Sequence, residues 1–248
     1  TREQTPDTAK AGKGKIAALL EGGKLRADVD LRGDKWSLKT AAETTLRTDE
    51  PWAFELGDTV RGSLRAEKFP VVLLLPVVSS SVADLDGSLD ANVQAEAGPA
   101  GTTVEASASL RNGRVHVPAI GQEIQDLRTD LAWTRDGRIT LHNTSFRGIT
   151  GKATVEASAR MDGIMPREAR VQLVVGREER LPLSLQGLGL GEFWGKIRAE
   201  AKFEEKKTTA QIDIDQLQIR FPEIPDASVQ SLDPDPHVIV GVRLAGEE

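Results

Sequence analysis

The chain has no cysteine and no tyrosine, and aromatic residues make up 4% of its 248 positions. Without cysteine there are no disulfides, no thiolate nucleophiles and no thiolate metal ligands, a usage that suits the cytosol or an envelope protein avoiding stray oxidation. The shortage of aromatics bears on packing. Two facing sheets sit about 10 Å apart and need bulky inward residues to fill the gap. Strands built on Ala and Val leave that gap open, or belong to a thin, elongated layer. No apolar run approaches the roughly 20 residues that cross a bilayer as a helix, and no signal-peptide pattern is present. A chain opening Thr1-Arg2-Glu3-Gln4 reads as part of a longer one. Neither sign of charge dominates: 32 basic residues stand against 38 acidic ones, for a net charge of −6. They are interspersed along the chain, which describes a solvated face and argues against nucleic acid as a partner.

Signatures of chemistry are missing too. His116, His142 and His237 have no metal-ligand spacing, and His116, between Val115 and Val117, falls on the polar side of a strand. There is no Gly-x-Ser-x-Gly elbow and no His-Glu-x-x-His. Gly187, Gly189 and Gly191 are wrongly spaced for a nucleotide loop and read as a flexible corner. Asp84-Leu85-Asp86-Gly87 opens like a calcium loop, but Leu89 stands where that loop needs glycine, so a hairpin turn is expected there. Asp213 and Asp215 share a strand face as solvated groups. No enzyme, metal or cofactor is expected.

What the chain does have is a recurring unit, seen in Leu85-Asp86-Gly87-Ser88-Leu89-Asp90-Ala91-Asn92-Val93: a glycine corner, then apolar and polar residues in alternation. Leu20 to Val29, Val60 to Ala66 and Leu190 to Ala199 are variants of it. Period-two alternation punctuated by glycine predicts antiparallel strands with one dry face and one wet face. Turns are expected at Arg32-Gly33-Asp34, Gly98-Pro99-Ala100-Gly101, Arg111-Asn112-Gly113-Arg114, Arg135-Asp136-Gly137 and Gly148 to Gly151, with the Asn-Gly pair the strongest hairpin signal. The spacing of about one turn per 8–12 residues is that of a meander.

Four segments follow. Residues 1–14 read as a disordered lead-in, 15–68 as a first β module, 69–83 as an apolar helical connector and 84–248 as a second β module. The connector's run Phe69 to Val78 is continuous and apolar, with Pro70 suited to a first helical turn and Pro76 to its end or a kink. It serves as a plug, or as a lid that touches membrane. Prolines 222, 225, 234 and 236 interrupt the tail before a last strand at Val238, Val240 and Val242.

The fold class expected is all-β: a long antiparallel meander curled into a half-pipe with an apolar concave face, set against a closed sandwich as the alternative. Strand parity assigns the concave lining to Leu89, Ala91, Val93, Val104, Ala106, Ala108, Leu110, Val115, Val117, Ile139, Leu141, Val155, Ala157, Val171, Leu173, Ile197, Ala199, Ile212 and Ile214. A groove lined by such small residues suits lipid acyl chains. A second possibility is an exposed sheet edge that pairs with other strands, for which Val104 to Leu110, poor in lysine, is the candidate.

The order of the parts resembles the C-terminal region of the TamB family, among the AsmA-like, bridge-type lipid transport proteins of the Gram-negative envelope. Phe69 to Val78 precedes Leu85-Asp86-Gly87-Ser88-Leu89; Leu110-Arg111-Asn112-Gly113-Arg114-Val115-His116-Val117-Pro118-Ala119-Ile120-Gly121 follows. Then come Leu127-Arg128-Thr129-Asp130-Leu131, Asp136-Gly137-Arg138-Ile139-Thr140-Leu141 and Phe146-Arg147-Gly148-Ile149-Thr150-Gly151. The resemblance implies a β-taco in the periplasm, belonging to a longer protein anchored in the inner membrane. It further implies conduction of phospholipid toward the outer membrane with an Omp85-type barrel as partner, or help in assembling outer-membrane barrel proteins.

Overall fold

The computed structural model describes residues 12–50, 53–78, 83–117, 122–185, 188–204 and 207–221. Alternation is realised as thirteen strands in one antiparallel sheet. They are β1 (Lys13–Glu21), β2 (Lys24–Arg32), β3 (Ser37–Glu50), β4 (Ala53–Pro70), β5 (Asp84–Gly98), β6 (Gly101–Val117) and β7 (Gln122–Trp133). β8 (Arg138–Arg147), β9 (Lys152–Asp162), β10 (Met165–Val175), β11 (Leu181–Leu185), β12 (Leu188–Glu204) and β13 (Lys207–Arg220) complete it. Each strand up to β10 pairs with its sequence neighbours; β12 then pairs with β10, β11 and β13. The sheet does not close into a barrel: β1 and β13 each pair with a single strand. Among the described residues no helix is long and apolar enough to cross a membrane.

The helical connector is present as a 3₁₀ turn, Val71–Leu74, followed by α1 (Leu75–Val78). Pro70 ends β4 and caps the turn in an extended conformation, and Pro76 lies inside α1. At the start of the connector Val71 is buried, and just before it Phe69, at the end of β4, meets Trp36 edge-on at 5.5 Å. It does not divide the sheet, because β4 and β5 on either side of it are hydrogen-bonded neighbours from Val60/Ala97 to Pro70/Ser88. The two modules expected from the sequence therefore share one sheet.

Turns stand where expected at Gly33, Gly98–Gly101, Gly137 and Gly148–Gly151, but the Asn-Gly hairpin is a correction. β6 runs through Asn112-Gly113 without turning, and the pair forms a β-bulge facing Gly87 on β5 and Leu127 on β7. Asp84 to Gly87, also expected to turn, lies inside β5. The recurring glycine unit splits the same way: Gly22-Gly23 is a turn, whereas Gly62 and Gly191 are within strands. Left-handed backbone serves a bulge as well as a hairpin, so local sequence alone does not choose between them.

Bulges form a system. Among the described residues five non-glycine ones have positive φ: Lys68, Asn112, Asp126, Asn143 and Gln216, at 48° to 57°. Each sits at a register shift, on the strand that holds the extra residue. Such insertions bend the strand and increase its twist, which curls a wide sheet. Backbone groups freed at a bulge find side-chain partners: the Lys68 N–H donates to the Asp90 carboxylate at 2.8 Å.

The result is a half-pipe one layer thick. Among the described residues seven apolar side chains are buried: Ala66, Phe69, Val71, Val104, Ala153, Val175 and Leu181. Ala153, Val175 and Leu181 pack with Phe146, Leu173, Phe193 and Trp194, where β11 folds against the ends of β9 and β10. Elsewhere the apolar face is half-buried to exposed, and among the described residues no second sheet lies over it. The closed-sandwich alternative is set aside.

Two further expectations change. β1 begins at Lys13, inside the stretch expected to be lead-in, while residues 1–11 and the final strand at Val238–Val242 lie outside the described residues. Val104 to Leu110 is no edge: it pairs with β5 on one side and, from Ala106, with β7 on the other. Strands of similar alternation look alike in sequence, and edge position depends on the order of the whole sheet.

Candidate functional site

Directly opposed residues in an antiparallel pair project to the same face, so the register assigns faces across the sheet. One row runs Ile16, Val29, Thr40, Leu64, Val93, Ala106, Trp133, Ile139, Ala159, Ala169, Ala201, Ala210, from β1 to β13. The next row is Gly14, Leu31, Leu38, Ala66, Ala91, Ala108, Leu131, Leu141, Ala157, Val171, Ala199, Ile212. At about 4.8 Å per strand step, each row is roughly 50 Å long.

Leu89 and Leu110 face each other in a third row, which Val155, Leu173, Ile197 and Ile214 continue on the far side of the bulges. Val104 opposes Ala95, and Val115 opposes Leu85. Val117 takes the register position opposite Gln122. The register places the other eighteen residues of the predicted lining on one common face of the sheet. Parity missed Trp133, Leu131, Leu64 and Val29 as their neighbours, although each stands in an alternating run.

Along β5 the contrast between faces is plain: Ala91, Val93, Ala95 and Ala97 are half-buried, and Asn92, Gln94 and Glu96 are exposed. Toward the β13 edge the apolar side opens, with Val171 42%, Ile212 65% and Ile214 61% exposed. The one buried polar side chain among the described residues, Thr144, lies on this face and shares a hydrogen bond of 2.7 Å with Thr129.

The outer face is polar and internally paired. Arg61 meets Glu96 at 3.2 Å and Arg135 meets Glu105 at 2.7 Å, both exposed, so the depressions beside them are lined by neutralised charge. His142, Glu156, Arg170, Arg198 and Glu200 line a similar shallow depression. His116 is half-buried and paired in register with Asp84 and Glu123. His237 lies outside the described residues. Among the described residues no group of His, Asp and Glu is placed to hold a metal.

The densest polar convergence is at Asp130 on β7. Ser109 Oγ donates to its carboxylate at 2.7 Å, Arg111 at 2.5 Å and Asn143 Nδ2 at 3.0 Å. These donors, Ser109 first, hold the Asp130 carboxyl down at about 2 against the ordinary 3.8. A carboxylate fixed in its ionised form is a clasp across β6, β7 and β8 beside two bulges, and it is poorly suited to proton transfer. Because its folded pKa is depressed, its contribution to stability is complete above the ordinary carboxylate range and is lost as pH falls from about 4 through about 2. Asp130→Asn should lower the thermal midpoint at neutral pH and flatten its decline between those values, as followed by circular dichroism at stepped pH.

Fold and site together define an open, single-layer antiparallel half-pipe with a continuous apolar concave face. No family model, curated protein or solved structure matches the chain.

Proposed function

We propose that the chain is a segment of a periplasmic lipid-conducting protein, holding phospholipid acyl chains on its concave face on the way to an Omp85-type outer-membrane barrel. The observation that carries this reading is the pair of apolar rows that cross the sheet uncovered. Burial of apolar surface contributes about 0.8 kcal/mol per CH₂, so an acyl chain laid along such a row gains over its whole length without directional contacts. Ala and Val leave room for it, and headgroups stay in water at the open side. The resemblance in the order of parts supports the same reading, including an inner-membrane anchor on a longer chain. Conduction along a surface needs no catalytic residue. A scaffold role through sheet edges, the second reading, moves from Val104–Leu110 to β1 and β13.

Phospholipid should co-purify with the chain when it is prepared without detergent. Mass spectrometry of an organic extract, with a closed-core protein as control, checks this. An extract no richer in phospholipid than the control's would remove the lipid reading and leave the scaffold.

A further inference from the structure

The two edges of the sheet are complementary to each other. β1 pairs with β2 and β13 with β12, and neither has a strand on its outer side among the described residues. All of β1 is exposed, as is nearly all of β13. From β1 the path runs through β10 to β12 and β13, alternating direction at each step, so β1 and β13 are antiparallel. A second copy set with its β1 beside β13 would therefore continue the alternation that every pair in the sheet already obeys.

Sequence selects a register for that junction. Set Lys15 against Asp213, and Lys13 falls against Asp215 and Glu21 against Lys207, while Ile16 meets Ile212 and Ala18 meets Ala210. Three opposite-charge pairs lie on the outer face and the apolar contacts stay on the concave face. Moving the register by two residues in either direction separates at least one lysine from its aspartate. The sign alternation inside each edge also carries over: Arg198 opposes Asp213 and Lys15 opposes Asp30, so the junction reads Arg, Asp, Lys, Asp. Directly opposed charges of opposite sign favour a strand pair, and like charges disfavour it.

We infer that copies of this chain associate head to tail, β13 of one against β1 of the next. The interface is heterologous and does not close on itself, so it builds linear chains whose concave faces are continuous. This rests on the edges alone and holds whatever occupies the concave face.

The absence of cysteine makes the test clean. Opposed residues of an antiparallel pair lie within disulfide reach. The Lys15→Cys, Asp213→Cys double variant should give a ladder of disulfide-linked oligomers on oxidation. A mixture of the two single variants should give the mixed dimer in several-fold excess over either homodimer. A double variant that yields an internally linked monomer would overturn the inference, since the two edges would then meet within one copy. So would an absence of cross-links, or homodimers equal to the mixed dimer. Charge reversal supplies a second measurement. Lys13→Glu with Lys15→Glu, and separately Asp213→Lys with Asp215→Lys, should each sediment as monomer. Their mixture should recover the mass distribution of the parent chain; a mixture that remains monomeric overturns the inference as well.

Discussion

Val93→Glu and Ala106→Asp should each strip co-purified phospholipid from the concave face while leaving the far-ultraviolet circular dichroism of the sheet in place. The two residues are direct partners, and the row through them joins Leu64 on one side to Trp133 on the other. Beneath an acyl chain, an ionised carboxylate would lose its water without gaining a partner, at a cost of several kcal/mol. That exceeds what a few CH₂ groups contribute, so the lipid leaves. In a closed sandwich the same substitution would unfold the protein. Here the face has no second layer, Val93 and Ala106 are half-buried, and the charge in an empty groove reaches water. Gln94→Glu, one residue along on the exposed outer face, is the matched control and should retain lipid. Unchanged lipid in both inward variants would count decisively against the groove.

The second large effect is structural. Gly151, with φ at +76°, turns β8 into β9, and a Cβ built there would lie 1.9 Å from the Arg180 carbonyl oxygen. That oxygen belongs to the turn leading into Leu181, one of the best-buried side chains, so alanine at 151 must push the turn away. Strained backbone costs on the order of 1–3 kcal/mol, and exposing a buried leucine adds about 1.5–3 kcal/mol. Gly151→Ala should therefore release β11 from Ala153 and Val175, lose hydrogen-exchange protection across Leu181–Leu185 and admit protease near Arg177. Gly22→Ala provides the comparison: φ is again positive, at +57°, but nothing lies within 4 Å of the added carbon. It should show the backbone penalty alone.

The fold class, and which residues share one face of the sheet, were legible because both depend on period-two alternation, which survives any uncertainty about where a strand ends. Bulges were not legible, although their residues were conspicuous. Asn112-Gly113 announces left-handed backbone, yet whether the chain reverses there or only bends depends on partners at Gly87 and Leu127. Lys68 and Gln216 give no local sign at all. The edges could not be read either, since Val104–Leu110 and Ala210–Ile214 alternate alike and differ in how many strands flank them. β11 was hidden for a related reason: Leu181–Leu185 looks like one more strand of the meander but sits beyond β10, on the same side of β12.

The pairing of the strands, sequential from β1 to β10, has a consequence for how the molecule is made and unmade. From β1 to β10 every hydrogen-bonded neighbour is also a neighbour in the chain, so almost no contact asks distant segments to find each other. Low sequence separation of contacts favours rapid assembly even in an all-β protein, and any hairpin could start it, with the next strand added on either flank. Stability then accumulates by increments between adjacent strands, as in solenoid repeats. Heating or denaturant should fray the sheet from β1 and β13 inward in place of a single collapse, and the clasp at Asp130, midway along, should be among the last parts to let go.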